Sequence, residues 1–390
     1  MTAELPVAVP PSPASRHALE PGAALAEWLA ARGEPAWRGR AIRRWLHERR
    51  APAFAAMTDL PAGLRRALEE EFRIWTTTIA AHRVAPDGTE KLLLDLHDGQ
   101  RIECVLLRGD PAEGGGDRRT VCISSQVGCA MGCVFCASGL DGVVRNLTAG
   151  EIVEQIARLA ALLPAAERIS HVVVMGMGEP LANLDRLLPA LAVAHDPEGF
   201  GISQRRITIS TVGLPQAIDR LAAADPGYQL AVSLHAADDE LRTRLVPVNR
   251  AIGLAEVMAA ADRYWEASGR RLTFEYVLLG TVNDSVDDAR RLVRLLGARA
   301  VLVNVIPYNA VAGLPWREPT AAAQQAFLTV LRDAGVNVQV RRRKGERINA
   351  ACGQLRRLVA AAPAGAQANQ PSSSTAASTT PRIPPSQTAQ

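Results

Sequence analysis

The sequence has few lysines and few cysteines, and it has no long apolar run. Lysine occurs only at positions 91 and 344, so nearly all positive charge is arginine. Six cysteines in 390 residues are too sparse for a small secreted domain held by disulfides. No apolar run approaches the roughly 20 residues of a membrane-spanning helix, and Glu4 stands where a secretory signal carries positive charge. We therefore expect a cytoplasmic protein without a membrane partner, whose cysteines bind metal or do chemistry.

The chain divides into five segments by composition and hydrophobic period. Residues 1–20 are rich in Pro, Ala and Val and predict a flexible leader. Residues 21–75 have a helical period with many arginines and predict a helical accessory domain. Residues 76–117 change to short alternating runs separated by PDG and DG, which predict a short antiparallel β segment that links two domains. Residues 118–360 form the main domain, and the polar residues 361–390 are predicted to be disordered.

The main domain alternates short apolar strands with amphipathic helices. Six such helices are interleaved with six strands, namely HVVVMGM, RITISTV, YQLAVSLH, RLTFEYVLL, AVLVNVIPY and VNVQVRR. This repeat predicts the α/β class, with a parallel sheet covered by helices, as a partial (β/α)6 barrel. Reactive side chains are then expected at the carboxyl ends of the strands.

Three cysteines lie close together in the segment GCAMGCVFCASG. Cys129, Cys133 and Cys136 are separated by three and then two residues, and the glycines let the loop curl so that the thiolates converge. Iron–sulfur clusters are held by cysteine thiolates, usually four, so three ligands leave one iron open. Structural cysteines in a loop with little core to fill, or a zinc site without a second ligand pair nearby, explain the pattern less well. The segment therefore predicts a [4Fe-4S] cluster with an open coordination position.

A second motif, MGMGEP, follows the first of the six predicted strands. Glu179 is an anionic acceptor suited to an ammonium group, and Gly178 allows close approach of the backbone. Together with the cysteine spacing, this motif resembles the radical S-adenosylmethionine (SAM) superfamily. In that superfamily the three cysteines hold the cluster and the GE motif binds the amino group of SAM.

Further segments resemble one family within that superfamily, the RlmN/Cfr RNA methyltransferases, and most closely its RlmN branch. The N-terminal stretch from WRGRAIRRWLHERR to MTDLPAGLR resembles the helical accessory domain of that family. The resemblance covers roughly residues 25–358. The matching segments of the main domain are CISSQVGCAMGCVFCASG, RNLTAGEIVEQI, ITISTVG, AVSLHA, NVIPYN and INAACGQL.

The resemblance assigns roles to individual residues. It implies that Cys352 carries the methyl group as S-methylcysteine, that Cys122 resolves it through a disulfide, and that Glu103 accepts a proton. Taken alone, Cys352 is typical of a small core residue in a helix that begins near Asn349, and Cys122 of a strand core residue. Cys104 has no family role and is predicted to be structural. The implied SAM contacts are Gly178, Glu179, Ser210, Ser233, Leu234, His235 and Asn309, of which Ser233 and His235 also fit packing or capping roles.

The resemblance also implies a reaction. Adenine C2 is not nucleophilic, so direct methyl transfer from SAM is unfavourable and a radical route avoids the difficulty. One SAM would methylate Cys352 and a second would be cleaved to methionine and a 5′-deoxyadenosyl radical, giving two SAM per turnover. The implied substrates are adenine 2503 of 23S rRNA and adenine 37 of some tRNAs. The implied electron donor is a flavodoxin or ferredoxin, and the expected state is a monomer.

A basic footprint fits an RNA partner, although the net charge of +4 does not indicate one. Arginine clusters with Trp37 and Trp45 nearby suit phosphate contacts and base stacking, but a solvated helix face explains them equally well without the family resemblance. Three alternatives stay open. They are Cfr-type methylation of C8 of the same rRNA adenine, a radical SAM enzyme with another substrate, and a metal-containing RNA-binding module.

Overall fold

The computed structural model describes residues 16–110, 115–225, 227–341 and 343–356. The tail predicted over 361–390 and the first fifteen residues of the predicted leader lie outside the described residues. The strands are β1 (Arg16–His17), β2 (Phe72–Arg73), β3 (Thr78–Val84), β4 (Glu90–Asp95), β5 (Arg101–Arg108), β6 (Arg119–Cys122), β7 (Gln126–Gly128), β8 (Val143–Asn146), β9 (His171–Val174), β10 (Ile207–Thr211), β11 (Gln229–Ser233), β12 (Thr273–Leu278), β13 (Leu302–Pro307) and β14 (Asn337–Val340). The helices are α1 (Ala24–Ala31), α2 (Ala36–His47), α3 (Ala62–Glu71), α4 (Ala149–Ala161), α5 (Leu184–His195), α6 (Pro215–Ala224), α7 (Asp239–Leu245), α8 (Leu254–Ser268), α9 (Val286–Leu296) and α10 (Ala321–Asp333).

One large sheet carries most of these strands, in the order β14-β13-β12-β11-β10-β9-β6-β5-β4-β3. From β6 to β14 every neighbouring pair is parallel, and the strand order follows the chain order. Because each crossover then winds in the same direction, the helices collect on one face and the sheet takes the form of a partial barrel. The predicted α/β class is confirmed.

The β segment predicted as a linker over 76–117 is part of this same sheet. β5 pairs antiparallel with β6, with Val105 opposite Cys122, so β3, β4 and β5 extend the parallel sheet at its first edge. The prediction of six parallel strands omits β6, because its four residues stand between a Gly-rich stretch and the polar run SSQ. It also omits α7, whose sequence DELRTRL is too charged to show a clear apolar period.

The flexible leader predicted over 1–20 is wrong for its last five residues. β1 pairs in parallel with β2, and the Ala18 amide donates to the Arg73 carbonyl at 2.8 Å. Ala18 and Leu19 are buried in the main core. The Glu20 carboxylate accepts the Gly150 amide at 2.6 Å, at the start of α4, where a helix favours negative charge. Burial of two apolar side chains and this cap account for the order.

The accessory helices α1 to α3 share one hydrophobic core with the barrel. Trp28 packs edge-on against Phe72 with ring centroids 5.3 Å apart, and the buried His47 packs against Phe200, which follows α5, at 4.9 Å. In the described ranges, none of the helices has the length and apolarity needed to cross a membrane.

Side chains from α4 and α5 fix the segment between β6 and β7, on which the cysteine loop depends. The Gln155 side chain accepts the Ser124 amide at 2.8 Å and donates to the Ser124 carbonyl at 3.0 Å. The Asn183 amide group, just before α5, donates to the carbonyls of Ser125 and Leu147 at 2.8 and 2.9 Å. Buried polar groups in this irregular segment are therefore satisfied by side chains.

Candidate active site

A cavity at the carboxyl ends of the parallel strands contains most of the predicted site residues; we call it the main cavity. Cys122, Leu234 and Glu103 are the predicted residues outside its described lining. The predicted residues that line it are Cys129, Cys133, Cys136, Gly178, Glu179, Ser210, Ser233, His235, Asn309 and Cys352.

The cysteine loop is held by neighbouring elements on both sides. The Cys129 amide donates to the Gly142 carbonyl at 3.0 Å, next to the β7–β8 hairpin. Gly128 has φ +79°, and a Cβ there would lie 2.0 Å from the Gly142 oxygen, so no other residue fits without a shift of the hairpin. Farther along, the Val134 amide donates to the Leu245 carbonyl at the end of α7, at 3.1 Å. The loop therefore has a defined shape before any metal binds.

The three loop thiols are half-buried and line the main cavity. Burial raises the pKa of Cys129 to about 12 and raises the pKa of Cys133 and of Cys136 as well. Within the described ranges, no group of three His, Cys, Asp or Glu side chains converges on one point, as a single metal ion requires. A cubane cluster does not require this, because its cysteines bind different irons. Three buried thiols around one cavity fit a [4Fe-4S] cluster better than a single ion.

Glu179 follows β9 and its carboxylate is buried between two backbone amides. One oxygen accepts the Val212 amide at 2.9 Å and the other accepts the Leu181 amide at 3.1 Å. Burial raises the pKa of Glu179 to about 7. Gly178 has φ +106°, and a Cβ there would lie 2.7 Å from the Gln126 Cβ. A ligand ammonium in the cavity would supply the cation that this carboxylate lacks, which fits the amino group of SAM.

The ends of β10 and β11 contribute hydroxyl groups and a neutral histidine. The Ser210 and Ser233 Oγ atoms lie 3.3 Å apart. His235 has φ +63°, and its Nδ1 accepts the Val277 amide at 3.1 Å. Burial lowers the pKa of His235 to about 3, so the ring is neutral and carries its proton on Nε2. Its ring packs edge-to-face on Phe135 with centroids 4.8 Å apart, which places it against the cysteine loop.

Leu234 lies between these residues, but its side chain is fully buried in the main core. Its amide donates to the Glu275 carbonyl at 2.9 Å, and its carbonyl accepts Arg242 Nε at 3.1 Å. The fully buried Arg242 also donates to the carbonyls of Val212 and Ser233, at 2.6 and 3.2 Å. Arg242 thus fixes the strand ends that carry the site. The sequence prediction missed it because it lies in α7.

Cys352 lies on a loop that is tied to the cysteine loop by two hydrogen bonds. The Ala137 amide donates to the Gly353 carbonyl at 2.8 Å, and the Ser138 hydroxyl donates to the Leu355 carbonyl at 2.6 Å. These bonds bring Cys352 to the rim of the cavity that the cluster thiols line.

The backbone around Cys352 is not the helix that the sequence suggests from Asn349 onward. A short 3-10 turn, Glu346–Ile348, is followed by irregular chain in which Asn349 has φ +52°. The Asn309 side-chain amide donates to the Cys352 carbonyl at 3.0 Å. Its buried Oδ1 has no partner among the described residues, although such atoms are normally bonded. This acceptor at the cavity wall fits a donor group of a bound ligand.

The comparisons with known proteins agree with this geometry. The model of the radical SAM superfamily matches residues 123–295, and that of the ribosomal RNA large subunit methyltransferase N-terminal domain matches residues 21–74. A relative from Rhodopirellula baltica, named a probable dual-specificity RNA methyltransferase RlmN, is 62% identical over 85% of this chain and 88% of its own. The chain belongs to the RlmN family.

Two further relatives support the assignment. The dual-specificity RNA methyltransferase RlmN of Geobacter sulfurreducens is 45% identical over 88% of this chain and 92% of its own. A crystal structure of a radical SAM methyltransferase from Sphaerobacter thermophilus has a TM-score of 0.81 at 44% identity, over 86% of this chain and 97% of that chain. The predicted radical SAM RNA methyltransferase activity is therefore confirmed at the level of the family, and membership implies SAM, a [4Fe-4S] cluster and an RNA substrate.

Cys122 ends β6 beside Cys352, and both are free thiols. Burial raises the pKa of Cys122 to about 12, and the charge of Cys352 raises it further. Arg341 at the end of β14 lines the main cavity, and the Cys352 thiolate raises the pKa of Arg341. This RlmN-family chain therefore places a buried guanidinium next to its two remaining site thiols. The sequence interpretation missed Arg341, because it assigned the whole run VRRRKGER to RNA contacts.

Glu103 lines a second cavity, which we call the side cavity. The two cavities have adjoining walls, because their linings include neighbouring residues of the chain at 136–138, 309–310 and 352–354. The Glu103 carboxylate accepts Lys91 Nζ at 2.7 Å and the Arg356 amide at 2.9 Å. The structure therefore places Glu103 next to the Cys352 segment, not within the main cavity.

The basic residues predicted to contact RNA fall into two groups. In the accessory helices, Trp37 is 49% exposed beside a groove lined by Arg40, Arg44 and Arg168. Trp45 is less available, since its Nε1 donates to Asp59 at 2.5 Å. In the C-terminal run, Arg343 pairs with Glu318 and Glu346, and Lys344 donates to the Arg108 carbonyl. The accessory groove is the better candidate for an RNA contact.

Proposed function

We propose that this enzyme methylates C2 of adenine 2503 in 23S rRNA and of adenine 37 in some tRNAs. The observation that carries the proposal is the position of Cys352, between the cluster thiols, Cys122 and the side cavity that contains Glu103. SAM cleavage alone needs neither two additional thiols nor a carboxylate. A covalent methyl carrier with a resolving thiol and a base needs all three.

The main cavity would bind the cofactors. Cys129, Cys133 and Cys136 would hold the cluster and leave one iron open. Glu179 would pair with the amino group of SAM, and the free Asn309 Oδ1 would accept a hydrogen bond from it. The further SAM contacts we propose are Gly178, Ser210, Ser233, His235 and the backbone of Leu234.

The methyl group would reach RNA through Cys352. When bound, the cluster supplies the electron that cleaves SAM and takes one electron back from the RNA adduct, and two SAM per turnover supply the methyl group and the 5′-deoxyadenosyl radical. Cys352 loses its thiol proton as its sulfur accepts the methyl group. It then loses one hydrogen atom from that methyl, and the remaining methylene carbon bonds to adenine C2. RNA and protein are then joined by a thioether.

Resolution would use Glu103 and Cys122. Glu103 accepts the C2 proton, and the electron pair of the broken bond stays in the ring. The Cys122 thiolate, favoured by the neighbouring Arg341, then attacks the Cys352 sulfur. A disulfide forms, the sulfur–carbon bond breaks, and the released carbon takes a proton to become the methyl group. A thiol reductant restores both cysteines.

The remaining partners follow from the same proposal. RNA would lie along the arginine-lined groove beside Trp37, where phosphates meet guanidinium groups. A flavodoxin or ferredoxin would deliver the electron to the cluster, and the enzyme would act as a monomer.

Mass spectrometry of RNA locates the methyl group and tests the proposal. RNA from cells that lack the protein is compared with RNA after complementation by the wild type or by Cys352→Ala. We expect 2-methyladenine to return only with the wild type. A methyl group at C8 would overturn the regiochemistry, and methylation by Cys352→Ala would overturn the covalent mechanism.

A further inference from the structure

Resting on the proposed role of Glu103, we propose that Lys91 is a positioning residue. It holds the Glu103 carboxylate in place to accept the C2 proton, and it joins that carboxylate to the loop that carries Cys352.

The pairing of β4 with β5 puts the two side chains on one face of the sheet. Lys91 is opposite Val105 and Leu93 is opposite Glu103, so Lys91 and Glu103 are diagonal neighbours. Their charged groups meet at 2.7 Å, with side chains only 8% and 4% exposed. A buried ion pair costs desolvation and is often no more stable than an apolar pair. Stability alone therefore gives little reason for this pair.

Both oxygens of Glu103 are held by donors. Oε1 accepts from the Lys91 ammonium and Oε2 accepts the Arg356 amide at 2.9 Å. Because ammonium and amide groups only donate, these contacts require the unprotonated carboxylate. Glu103 also lines the side cavity, so the carboxylate is held as an acceptor beside a space that can take a nucleobase edge.

The same ammonium is bonded to the loop that carries Cys352. Lys91 Nζ donates to the Asn349 carbonyl at 2.9 Å. Asn349 is in the left-handed region, and the loop is anchored upstream where the Gly345 amide donates to Asp87 at 2.8 Å. Cys352 follows three residues after Asn349. One cation thus fixes the base and the methyl carrier relative to each other.

This arrangement suits a single proton transfer. The C2–H bond of the adduct breaks, its electron pair stays in the ring, and an O–H bond forms on Glu103. The protonated pair then carries one net positive charge in a buried site, which favours release of the proton through the side cavity. No further reactant is needed for this step.

The test compares step-resolved kinetics of the anaerobically reconstituted enzyme and four variants. We expect Lys91→Met to keep SAM cleavage and Cys352 methylation within about twofold but to slow resolution of the RNA adduct at least about tenfold. RNA deuterated at adenine C2 should slow this variant further, because proton removal has become rate-limiting. Lys91→Arg should restore most of the rate. Lys344→Met, which removes the other lysine, should resemble the wild type.

Glu103→Gln and the double variant separate this proposal from the function on which it rests. If Lys91 acts through Glu103, Lys91→Met adds no further loss to Glu103→Gln. Adduct accumulation in Glu103→Gln but normal resolution in Lys91→Met would overturn the role of Lys91 alone. Normal resolution in Glu103→Gln would overturn the role of Glu103 itself. If Lys91→Met does not fold, Lys91→Gln, which can still donate to the Asn349 carbonyl, takes its place.

Discussion

The main cavity and the side cavity differ in how the chain builds them. The main cavity uses the ends of parallel strands, and each strand end brings a short local motif, such as the cysteine loop or the segment around Glu179. The side cavity is formed between the antiparallel strands β4 and β5 and the distant loop around Cys352. The comparison suggests that SAM chemistry and adduct resolution depend on separate parts of the molecule. Substitutions should therefore stop the reaction at different steps.

The largest effect is expected from the cysteine loop. Cys133→Ala removes one of the three cluster thiols, so the [4Fe-4S] cluster should not assemble and all methylation should be lost. Iron and sulfide content after anaerobic reconstitution, together with SAM cleavage, measure the loss. Full SAM cleavage by this variant would contradict the assignment of the main cavity.

A second prediction uses two buried cysteines near the β5–β6 pair. Cys122→Ala should cleave SAM and methylate Cys352 normally but stop after one turnover with RNA bound covalently to the protein, because no thiol resolves the adduct. Denaturing gel electrophoresis with labelled RNA detects the adduct. Cys104→Ala is the matched control, since Cys104 is fully buried in the core and should lose only about 1 kcal/mol of stability. Multiple turnovers by Cys122→Ala would show that the two cavities are not divided in this way.

A smaller effect is expected from Glu179→Gln. Hydrogen bonds to charged groups contribute about 1.5–3 kcal/mol, so the affinity for SAM should fall about 10- to 100-fold. Equilibrium binding of SAM under anaerobic conditions measures the change. Unchanged affinity would remove Glu179 from the SAM contacts.

The wild-type affinity for SAM should also depend on pH. Because burial raises the pKa of Glu179 to about 7, the SAM-free carboxyl is protonated below that pH, whereas the SAM ammonium favours the carboxylate. Affinity should therefore fall as the pH decreases below 7, by up to about tenfold per unit, and stay level above it. Ser210→Ala should keep this slope and Glu179→Gln should lose it.

The smallest effect is expected at the accessory groove. Trp37→Ala removes an exposed aromatic ring, and stacking on a base contributes about 1–3 kcal/mol, so RNA affinity should fall at least about fivefold. SAM cleavage without RNA should not change. Fluorescence anisotropy with an rRNA fragment measures the affinity, and an equal loss of SAM cleavage would contradict an RNA-only role.

The difference between the cavities also explains what the sequence could predict. The cysteine spacing, Glu179 and the strand-end serines belong to local motifs, and the structure brings them into one cavity. Lys91, Arg341 and Arg242 gain their roles only through tertiary contacts, so nothing local marked them. Arg341 illustrates the limit, because its position within a basic run favoured a surface role, whereas strand alternation at the end of β14 points it inward.

The fold was predicted unevenly for the same reason. Long amphipathic helices and buried β-branched strands such as β9 carry a strong period, whereas β6 has four residues and α7 is highly charged. The link between β5 and β6 that turns two expected sheets into one is a long-range pairing. Hydrophobic period alone does not specify such a pairing.

The two hydrogen bonds from Ala137 and Ser138 to the segment after Cys352 have a consequence for iron supply. Metal that orders the cysteine loop also stabilises the segment that carries the methyl group, by thermodynamic linkage. A chain made under iron starvation would lack both its electron source and a firmly held methyl carrier. Proteolysis near Cys352 should then report on cluster loading, and the cell could recognise unloaded enzyme by the same exposed segment.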